Sequence, residues 1–304
     1  MIIVLTVALI LLVIITSFLS FRMVFYQTRE QKARVPDFPE TDQYIPYRER
    51  MIALYNEIQT IPFEEVRIVS SDSTPLYGRF YKGKEGAPTD IMFHGYRSLS
   101  YRDFCAGHKI ARDKGHNILL VDQRAHGLSG GNILTFGIKE KEDLLCWVNY
   151  VTASSPDAEI YLYGVSMGAS TVLAATELRL PENVKGVVAD SPYSSPKEII
   201  KKVCRDIKVP VLIAYPFIML GAFLFGGINL RDGGAKKAVK KAAVPILIIH
   251  GIDDRFVPHS MGKEIYDNIP GEKSFLSVKG AGHVTSYFVD TPSYEKAVSD
   301  FLNK

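Results

Sequence analysis

A serine between two glycines is the first feature of this sequence with a definable chemistry. The segment Gly164-Val165-Ser166-Met167-Gly168 follows the apolar residues 160–163 and precedes small, helix-forming residues. A serine on such a strand-to-helix turn adopts a strained backbone, and glycines two positions before and after it remove side chains that would collide there. The pattern therefore predicts that Ser166 is a nucleophile.

A histidine near the C-terminus is the candidate base for this serine. A serine hydroxyl is a weak nucleophile at neutral pH and needs a base, which an acid in turn orients. His283 ends the segment Lys279-Gly280-Ala281-Gly282-His283, just after the strand-like residues 275–278. A glycine-containing loop after a strand can present an imidazole above a sheet, so we predict that His283 is the base.

The acid must be chosen among carboxylates that follow strands. Asp253 and Asp254 both follow the apolar residues 246–249, and the pattern H-G-x-x-D-x-x-V-P falls on Asp254, which we favour. Asp190, after the apolar residues 187–189, is the remaining alternative. We interpret Asp190 as a turn carboxylate that accepts local backbone hydrogen bonds.

Nucleophilic attack on a carbonyl creates an oxyanion, which needs two preorganised donors. The residue after the nucleophile and a loop after an earlier strand supply such donors, so we predict an oxyanion hole formed by the backbone amides of Met167 and Tyr96. Tyr96 follows Phe93-His94-Gly95, where the glycine allows close approach of the main chain. We interpret His94 as a loop-shaping residue, because His283 fills the role of base.

The elements that must position these residues can be read from the apolar pattern. Alternation in residues 65–69 and 76–81, around Ser71-Asp72-Ser73, predicts an antiparallel hairpin. Short apolar runs typical of strands buried on both faces then recur, with helical stretches such as 101–114 and 139–152 between them. The runs are residues 91–93, 118–121, 160–163, 187–189 and 246–249. The sequence thus predicts a mostly parallel sheet with helices on both faces, and functional groups at the carboxyl ends of its strands.

From about Glu65 to the C-terminus, the chain resembles the α/β-hydrolase superfamily. The shared motifs are His94-Gly95, Asp122-Gln123-Arg124-Ala125-His126-Gly127-Leu128-Ser129, Gly164-Val165-Ser166-Met167-Gly168, His250 through Pro258, and Gly282-His283. The resemblance implies the α/β-hydrolase fold, with a mostly parallel central sheet and a small cap, and the chain order Ser, Asp, His of its triad.

Within that superfamily, the chain is similar to bacterial membrane-anchored serine hydrolases of the serine aminopeptidase-like or monoacylglycerol-lipase-like subgroup. The resemblance implies that the D-x-R-x-x-G-x-S loop is structural, with Asp122 and Arg124 as an internal ion pair or a clamp on the loop. The H-G-G-G loop of lipid esterases is replaced by His94-Gly95-Tyr96-Arg97, which argues against bulky tertiary esters.

The N-terminal residues 1–21 carry no charged side chain and have the length of one transmembrane helix. We favour an uncleaved anchor over a signal peptide, because no basic residue precedes the apolar run. Residues 22–46 contain Pro36, Pro39 and Pro46 and are expected to link this anchor to a hydrolase domain at 47–304. Basic residues follow the span, so we expect a single-pass protein of the cell membrane with a cytoplasmic catalytic domain.

A cap is expected at about 193–243. Its residues 209–230 are uncharged, but Pro216 and several glycines interrupt the run, and a second span would divide the triad between the two sides of the membrane. The alternatives left open are core packing and an apolar roof over an acyl pocket that also touches lipid. Residues 234–243 are expected to form a helix with four lysines.

Composition excludes several classes of partner and cofactor. With 36 basic and 33 acidic residues, the formal charge of +3 is too small to indicate nucleic-acid binding. The three cysteines form no C-x-x-C pair and the seven histidines show no paired ligand spacing, so neither a metal site nor another cofactor is expected.

The preferred hypothesis is hydrolysis of a carboxylic ester or thioester, small or lipid-like, through an acyl-enzyme on Ser166. An aminopeptidase-like activity is one alternative, although the cap contains no acidic cluster that would bind an ammonium group. A non-catalytic, membrane-tethered binding module is the other alternative, because a fold does not guarantee turnover.

Overall fold

A computed structural model describes residues 1–303 of the chain, and an eight-stranded sheet lies at its centre. The strands are β1 Glu64–Val69, β2 Pro75–Tyr81, β3 Thr89–Phe93, β4 Asn117–Asp122, β5 Ile160–Val165, β6 Val184–Asp190, β7 Ile246–Gly251 and β8 Lys273–Val278. Their order across the sheet is β1-β2-β4-β3-β5-β6-β7-β8. Only β2 is antiparallel to its neighbours, and the other strand pairs are parallel. The predicted mostly parallel sheet and its N-terminal hairpin are therefore confirmed.

Helices cover both faces of this sheet. They are α1 Ile2–Phe25, α2 Arg29–Ala33, α3 Arg48–Gln59, α4 Ser100–Asp103, α5 Cys105–Lys114, α6 Glu140–Ser154, α7 Met167–Ala175, α8 Pro196–Asp206, α9 Val211–Gly226, α10 Ala235–Ala238, α11 His259–Asp267, α12 Ser286–Val289 and α13 Thr291–Leu302. Short 3₁₀ turns occur at Ile45–Tyr47 and Val239–Lys241.

The two faces hold separate hydrophobic cores. In β3, Ile91 and Phe93 point to the face that α6 and α7 cover, whereas Met92 points to the face covered by α3, α5 and α13. This alternation along fully buried strands explains why the apolar runs are continuous in sequence. The sheet is thus buried on both sides, and its carboxyl edge is the surface left for the site.

Two expected helices differ in detail. The stretch 101–114 is divided at Phe104, which has φ −101° and ψ 19° and buries its ring in the core between α4 and α5. The expected helix 234–243 is only the four residues of α10 followed by a 3₁₀ turn. In both places packing against the body overrides the local helical pattern.

Helix α1 is the one helix within residues 1–303 that is long and apolar enough to cross a membrane. Its last turns pack against the body, because Phe21 and Phe25 are buried in a third core together with residues of α8 and α9. Helix α9 lies directly against it: the rings of Phe18 and Phe225 are 5.1 Å apart. Gly221 approaches α1 so closely that a Cβ there would lie 2.1 Å from the Ser17 carbonyl oxygen.

The connecting residues 22–46 also contact the body. Tyr26 pairs with Ile133 in an isolated β-bridge, and Gln27 is buried and donates to the Ala125 carbonyl at 3.0 Å. Farther along, Arg102 donates to the carbonyls of Pro36 and Asp37. The segment between α1 and α3 therefore runs along the body.

The Gly221 contact gives a test of how α1 is held. We expect Gly221→Ala to lower Tm by about 2–6 °C in detergent, because overpacking costs about 1–3 kcal/mol. Helix propensity alone would favour alanine by about 1 kcal/mol, so a lower Tm reports the contact with α1. Gly271→Ala is the control, since nothing lies within 4 Å of its Cβ position. An unchanged or higher Tm for Gly221→Ala would contradict this packing.

Candidate active site

Ser166 lies on a sharp turn between β5 and α7. Its backbone has φ 52° and ψ −113°, outside the regions that a side chain ordinarily allows, and its amide donates to the Asp190 carbonyl at 2.8 Å. The flanking glycines are required sterically: a Cβ at Gly164 would lie 2.3 Å from the Gly168 oxygen, and one at Gly168 would lie 1.7 Å from the Phe93 oxygen. The turn holds the Ser166 hydroxyl at the carboxyl edge of the sheet.

His283 connects this serine to a carboxylate. Its Nε2 lies 2.9 Å from Ser166 Oγ, and its Nδ1 lies 2.7 Å from Asp254 Oδ2. The Asp254 contact fixes the tautomer in which Nδ1 carries the proton, so Nε2 accepts from the serine hydroxyl. The backbone around the imidazole is also held, because Tyr44 donates its hydroxyl to the His283 carbonyl at 2.8 Å.

The Asp254 carboxylate is buried and fully bonded. Its Oδ1 accepts the amides of Phe256 and Val257 at 2.9 and 2.8 Å, and its Oδ2 faces His283 and, at 3.4 Å, His250. Burial opposes ionisation, but the charge and hydrogen bonds of the two histidines lower the pKa of Asp254 below its ordinary value. The carboxylate is therefore suited to stabilise a positive charge on His283.

The other two acid candidates lie elsewhere. Asp253 is exposed and its carboxylate accepts the Gly280 amide at 2.8 Å. Asp190 is buried and accepts from the Ser191 hydroxyl at 2.9 Å. Burial raises the pKa of Asp190 to about 6, although the Ser191 hydrogen bond and the charges of His250 and His283 oppose the shift. Only Asp254 among the three is hydrogen-bonded to His283 in residues 1–303.

The two expected oxyanion donors belong to two segments that adjoin the serine. The amide of Met167 is the first N–H of α7, and such N–H groups have no partner within the helix. In the loop after β3, Gly95 donates its amide to Asp103 Oδ2 at 2.8 Å, and Arg97 donates its amide to His126 Nε2 at 3.0 Å. The Tyr96 amide between them has no hydrogen-bond partner in the described part of the chain.

Two neutral histidines hold the loop that carries Tyr96. His94 is buried, donates from Nδ1 to the Gly95 carbonyl at 2.7 Å and accepts the Gln123 amide at Nε2. His126 donates to the Arg124 carbonyl, and burial together with the neighbouring His94 lowers its pKa well below the ordinary value. A neutral His126 can accept the Arg97 amide, whereas a protonated one could not. His94 thus has the loop-shaping contacts that we expect of it.

Asp122 and Arg124 do not pair with each other, so that part of the expectation is wrong. Arg124 makes a bidentate contact to Asp143, with both distances 2.6 Å, and a third contact to Asp72. Asp122 instead accepts from the Ser100 hydroxyl and the Leu128 amide. Each residue therefore clamps the loop. The carboxylate that pairs with Arg124 belongs to Asp143 on α6, and the local sequence does not reveal this partner.

Two cavities meet at Ser166. The larger, about 450 Å³, has an almost wholly apolar lining and extends under α8 and α9, which lie in the expected cap. The smaller, about 200 Å³, lies on the side of Tyr44 and His283; its lining is also mostly apolar, with Arg102 and Asp103 as its basic and acidic members apart from His283. Tyr96 and Phe256 line both. The site can therefore hold a molecule with a larger apolar part in one cavity and a smaller part in the other.

Several residues at the site are missed by sequence reasoning. Asp103, His126 and Gln123 fix the loop around Tyr96, and only the last two lie in a motif that draws attention. No metal-binding group of three or more histidine, cysteine or acidic side chains occurs within the described range 1–303.

Comparisons with known proteins place the fold. A protein-family model described as alpha/beta hydrolase fold matches residues 91–204. The structure of the Pyrococcus furiosus esterase Pf2001 superposes with a TM-score of 0.64 at 25% identity, covering 82% of this chain and 94% of that one.

Two sequence relatives extend the comparison. The protein YqkD of Bacillus subtilis (strain 168) is 27% identical over 256 residues, which cover 79% of this chain and 81% of YqkD. The lysophosphatidylserine lipase ABHD12 of Macaca fascicularis is 23% identical over 209 residues, covering 65% of this chain. This chain spans about half of that relative, since the match covers 51% of its length.

The raised pKa of Asp190 gives a test by pH. The ordinary carboxyl value is about 3.9, so between there and about 6 the folded chain binds more protons than the unfolded one, and stability declines as pH rises. In wild type, the free energy of unfolding should fall by up to about 3 kcal/mol across this window because of Asp190, and we expect Asp190→Asn to abolish that fall. Thermal unfolding in detergent, followed across this pH window, measures it. Parallel curves for wild type and variant would contradict the prediction.

Proposed function

This chain belongs to the α/β-hydrolase superfamily, and from that premise we propose that it is a serine hydrolase that cleaves carboxylic esters or thioesters through an acyl-enzyme on Ser166. The observation that carries the proposal is the chain of hydrogen bonds from Ser166 Oγ through His283 to Asp254, at 2.9 and 2.7 Å. Each member has the neighbours that its proposed role requires: a strained turn for the nucleophile, a fixed tautomer for the base and a buried, ionised acid.

The proposed reaction follows from these contacts. Ser166 Oγ attacks the carbonyl carbon while His283 Nε2 takes the hydroxyl proton, and Asp254 stabilises the resulting imidazolium. The amides of Tyr96 and Met167 bind the oxyanion, where the start of α7 adds its favourable dipole. The C–O or C–S bond then breaks, and His283 returns the proton to the leaving group. Water, deprotonated by His283, then attacks the acyl carbon; the bond to Ser166 Oγ breaks, His283 returns the proton to Oγ, and the carboxylic acid is released.

The cavities and the relatives favour an acyl ester with an apolar acyl group. The larger cavity is nearly free of polar groups and lies within the about 300–1,000 Å³ typical of small-molecule sites. One relative is named as a lysophosphatidylserine lipase and one structural neighbour as an esterase. The proposed substrate is therefore a small or lipid-derived ester.

The peptidase alternative lacks a free carboxylate for a substrate ammonium group. Asp103 is the acidic side chain that lines the smaller cavity, and both of its oxygens are used: Oδ2 accepts the Gly95 amide, and Oδ1 accepts from Ser98 and Arg102. This arrangement favours ester over peptide substrates.

The triad is tested with a fluorophosphonate probe and a panel of acyl esters. We expect wild type to be labelled and Ser166→Ala to be unlabelled, because the probe reacts with an activated serine. Asp254→Asn should lower kcat by about 10⁴-fold, since an asparagine favours the wrong histidine tautomer.

Asp253→Asn is the matched control, because it makes the same chemical change one residue away on an exposed side chain. We expect it to stay within about threefold of wild type, as do most surface substitutions. Equal losses in the two variants, or labelling of Ser166→Ala at the same rate, would refute the assignment.

We also propose that residues 1–21 anchor the protein in the cell membrane and that the hydrolase domain at 47–304 faces the cytoplasm. Arg22, Arg29, Lys32 and Arg34 follow the apolar run and support this orientation. A C-terminal green fluorescent protein fusion should then fluoresce, and a C-terminal alkaline phosphatase fusion should be inactive. An active phosphatase fusion would mean that the C-terminal domain lies outside the cytoplasm, contrary to the proposal.

A further inference from the structure

The larger cavity at Ser166 has a wall that belongs to the membrane helix. Ser20, Met23 and Val24, from the last two turns of α1, line it opposite residues of α8 and α9 such as Ile200 and Ile218. Met23 is also 69% exposed, as is Ile207 at 61%, and both line the cavity. The opening of the cavity therefore lies between apolar side chains that are exposed on the outside of the protein.

The same turns of α1 are bonded to the loop that carries the Tyr96 amide. Tyr96 donates its hydroxyl to the Val24 carbonyl at 2.8 Å, and Arg97 Nη2 donates to the carbonyls of Met23 and Tyr26 at 2.7 and 3.1 Å. The last carbonyls of a helix lack intrahelical partners, and a cation there is favourable to the helix dipole. The end of α1 is thereby held in one position relative to Ser166.

The surface around the opening is continuous with the part of α1 that meets lipid. Helix α9 packs on α1 through Ser17 and Gly221, and its outer side exposes Leu212 at 92% and Phe223 at 64%. An exposed apolar face next to a membrane-spanning helix is covered by lipid when that helix is in a bilayer. The cavity then opens at the surface of the membrane.

We propose that α1 is one wall of the acyl site, and that the substrate is a membrane-resident ester with a single acyl chain that enters from the bilayer along α1. The inference rests on the proposed hydrolase function. The larger cavity at the serine accepts one chain. The other cavity has less than half its volume, about 200 Å³ against about 450 Å³, so it takes the smaller alcohol portion and excludes a second long acyl chain.

The test uses the full-length protein in lipid nanodiscs and monoacyl glycerol esters of graded chain length. Ser20→Phe places a ring in the cavity, so we expect kcat/KM for long-chain esters to fall at least about tenfold, since each excluded methylene costs about fourfold. Short-chain esters should lose much less, because they fill less of the cavity. A thermal unfolding curve like that of wild type verifies that the variant is folded.

Leu19→Phe is the matched control, because it adds the same ring to the neighbouring residue, which is 58% exposed and does not line the cavity. It should keep the wild-type dependence on chain length. If Ser20→Phe and Leu19→Phe have the same profile, or if wild type hydrolyses diacyl esters as fast as monoacyl ones, the inference is overturned while the hydrolase function stands. Absence of both labelling and ester hydrolysis in wild type would overturn the proposed function and this inference with it.

Discussion

The close approach of α7 to the end of β3 is the contact on which the arrangement of the site depends. Gly168 lies so near the Phe93 carbonyl that no side chain fits between them, and this forces the first turn of α7 against the loop that begins at His94. The Met167 amide is the first N–H of that turn, and Tyr96 is the third residue of that loop. One backbone contact thus brings two segments from distant parts of the chain, each with one of the expected oxyanion donors, together beside Ser166.

Two buried histidines and the Asp103 carboxylate hold the loop around Tyr96. His94 and His126 are both buried and pack edge to face with ring centroids 4.7 Å apart, and each uses one ring nitrogen to donate and the other to accept. Burial and the neighbouring His94 lower the pKa of His126, so its Nε2 stays free to accept the Arg97 amide. Asp254 is also buried, but two backbone amides and two histidines favour its ionised form and outweigh the effect of burial.

The sequence predicts whatever depends on local constraints. Buried strands require continuous apolar runs, and the turn at Ser166 requires glycines at fixed positions, so the sheet and the three hydrogen-bonded residues could be identified in advance. The choice of Asp254 over Asp253 rests on a motif, and of the two carboxylates only that of Asp254 is hydrogen-bonded to His283. Partners chosen across the fold could not be predicted: Arg124 pairs with Asp143 on α6, and the Tyr96 loop is bonded to α1. Neither contact leaves a signature in the residues around it.

The length of α1 explains why a membrane helix takes part in the site. Its 24 residues rise about 36 Å, whereas the hydrocarbon core of a bilayer is about 30 Å thick. A helix that spans the core therefore projects about one turn beyond it, and the last turn of α1 contains Met23, Val24 and the buried Phe25. Carbonyls at this end would be costly to bury without donors, and Tyr96 and Arg97 supply the donors. The last carbonyls of α1 need hydrogen-bond donors, and the bonds that satisfy them connect the membrane helix to the loop beside the serine.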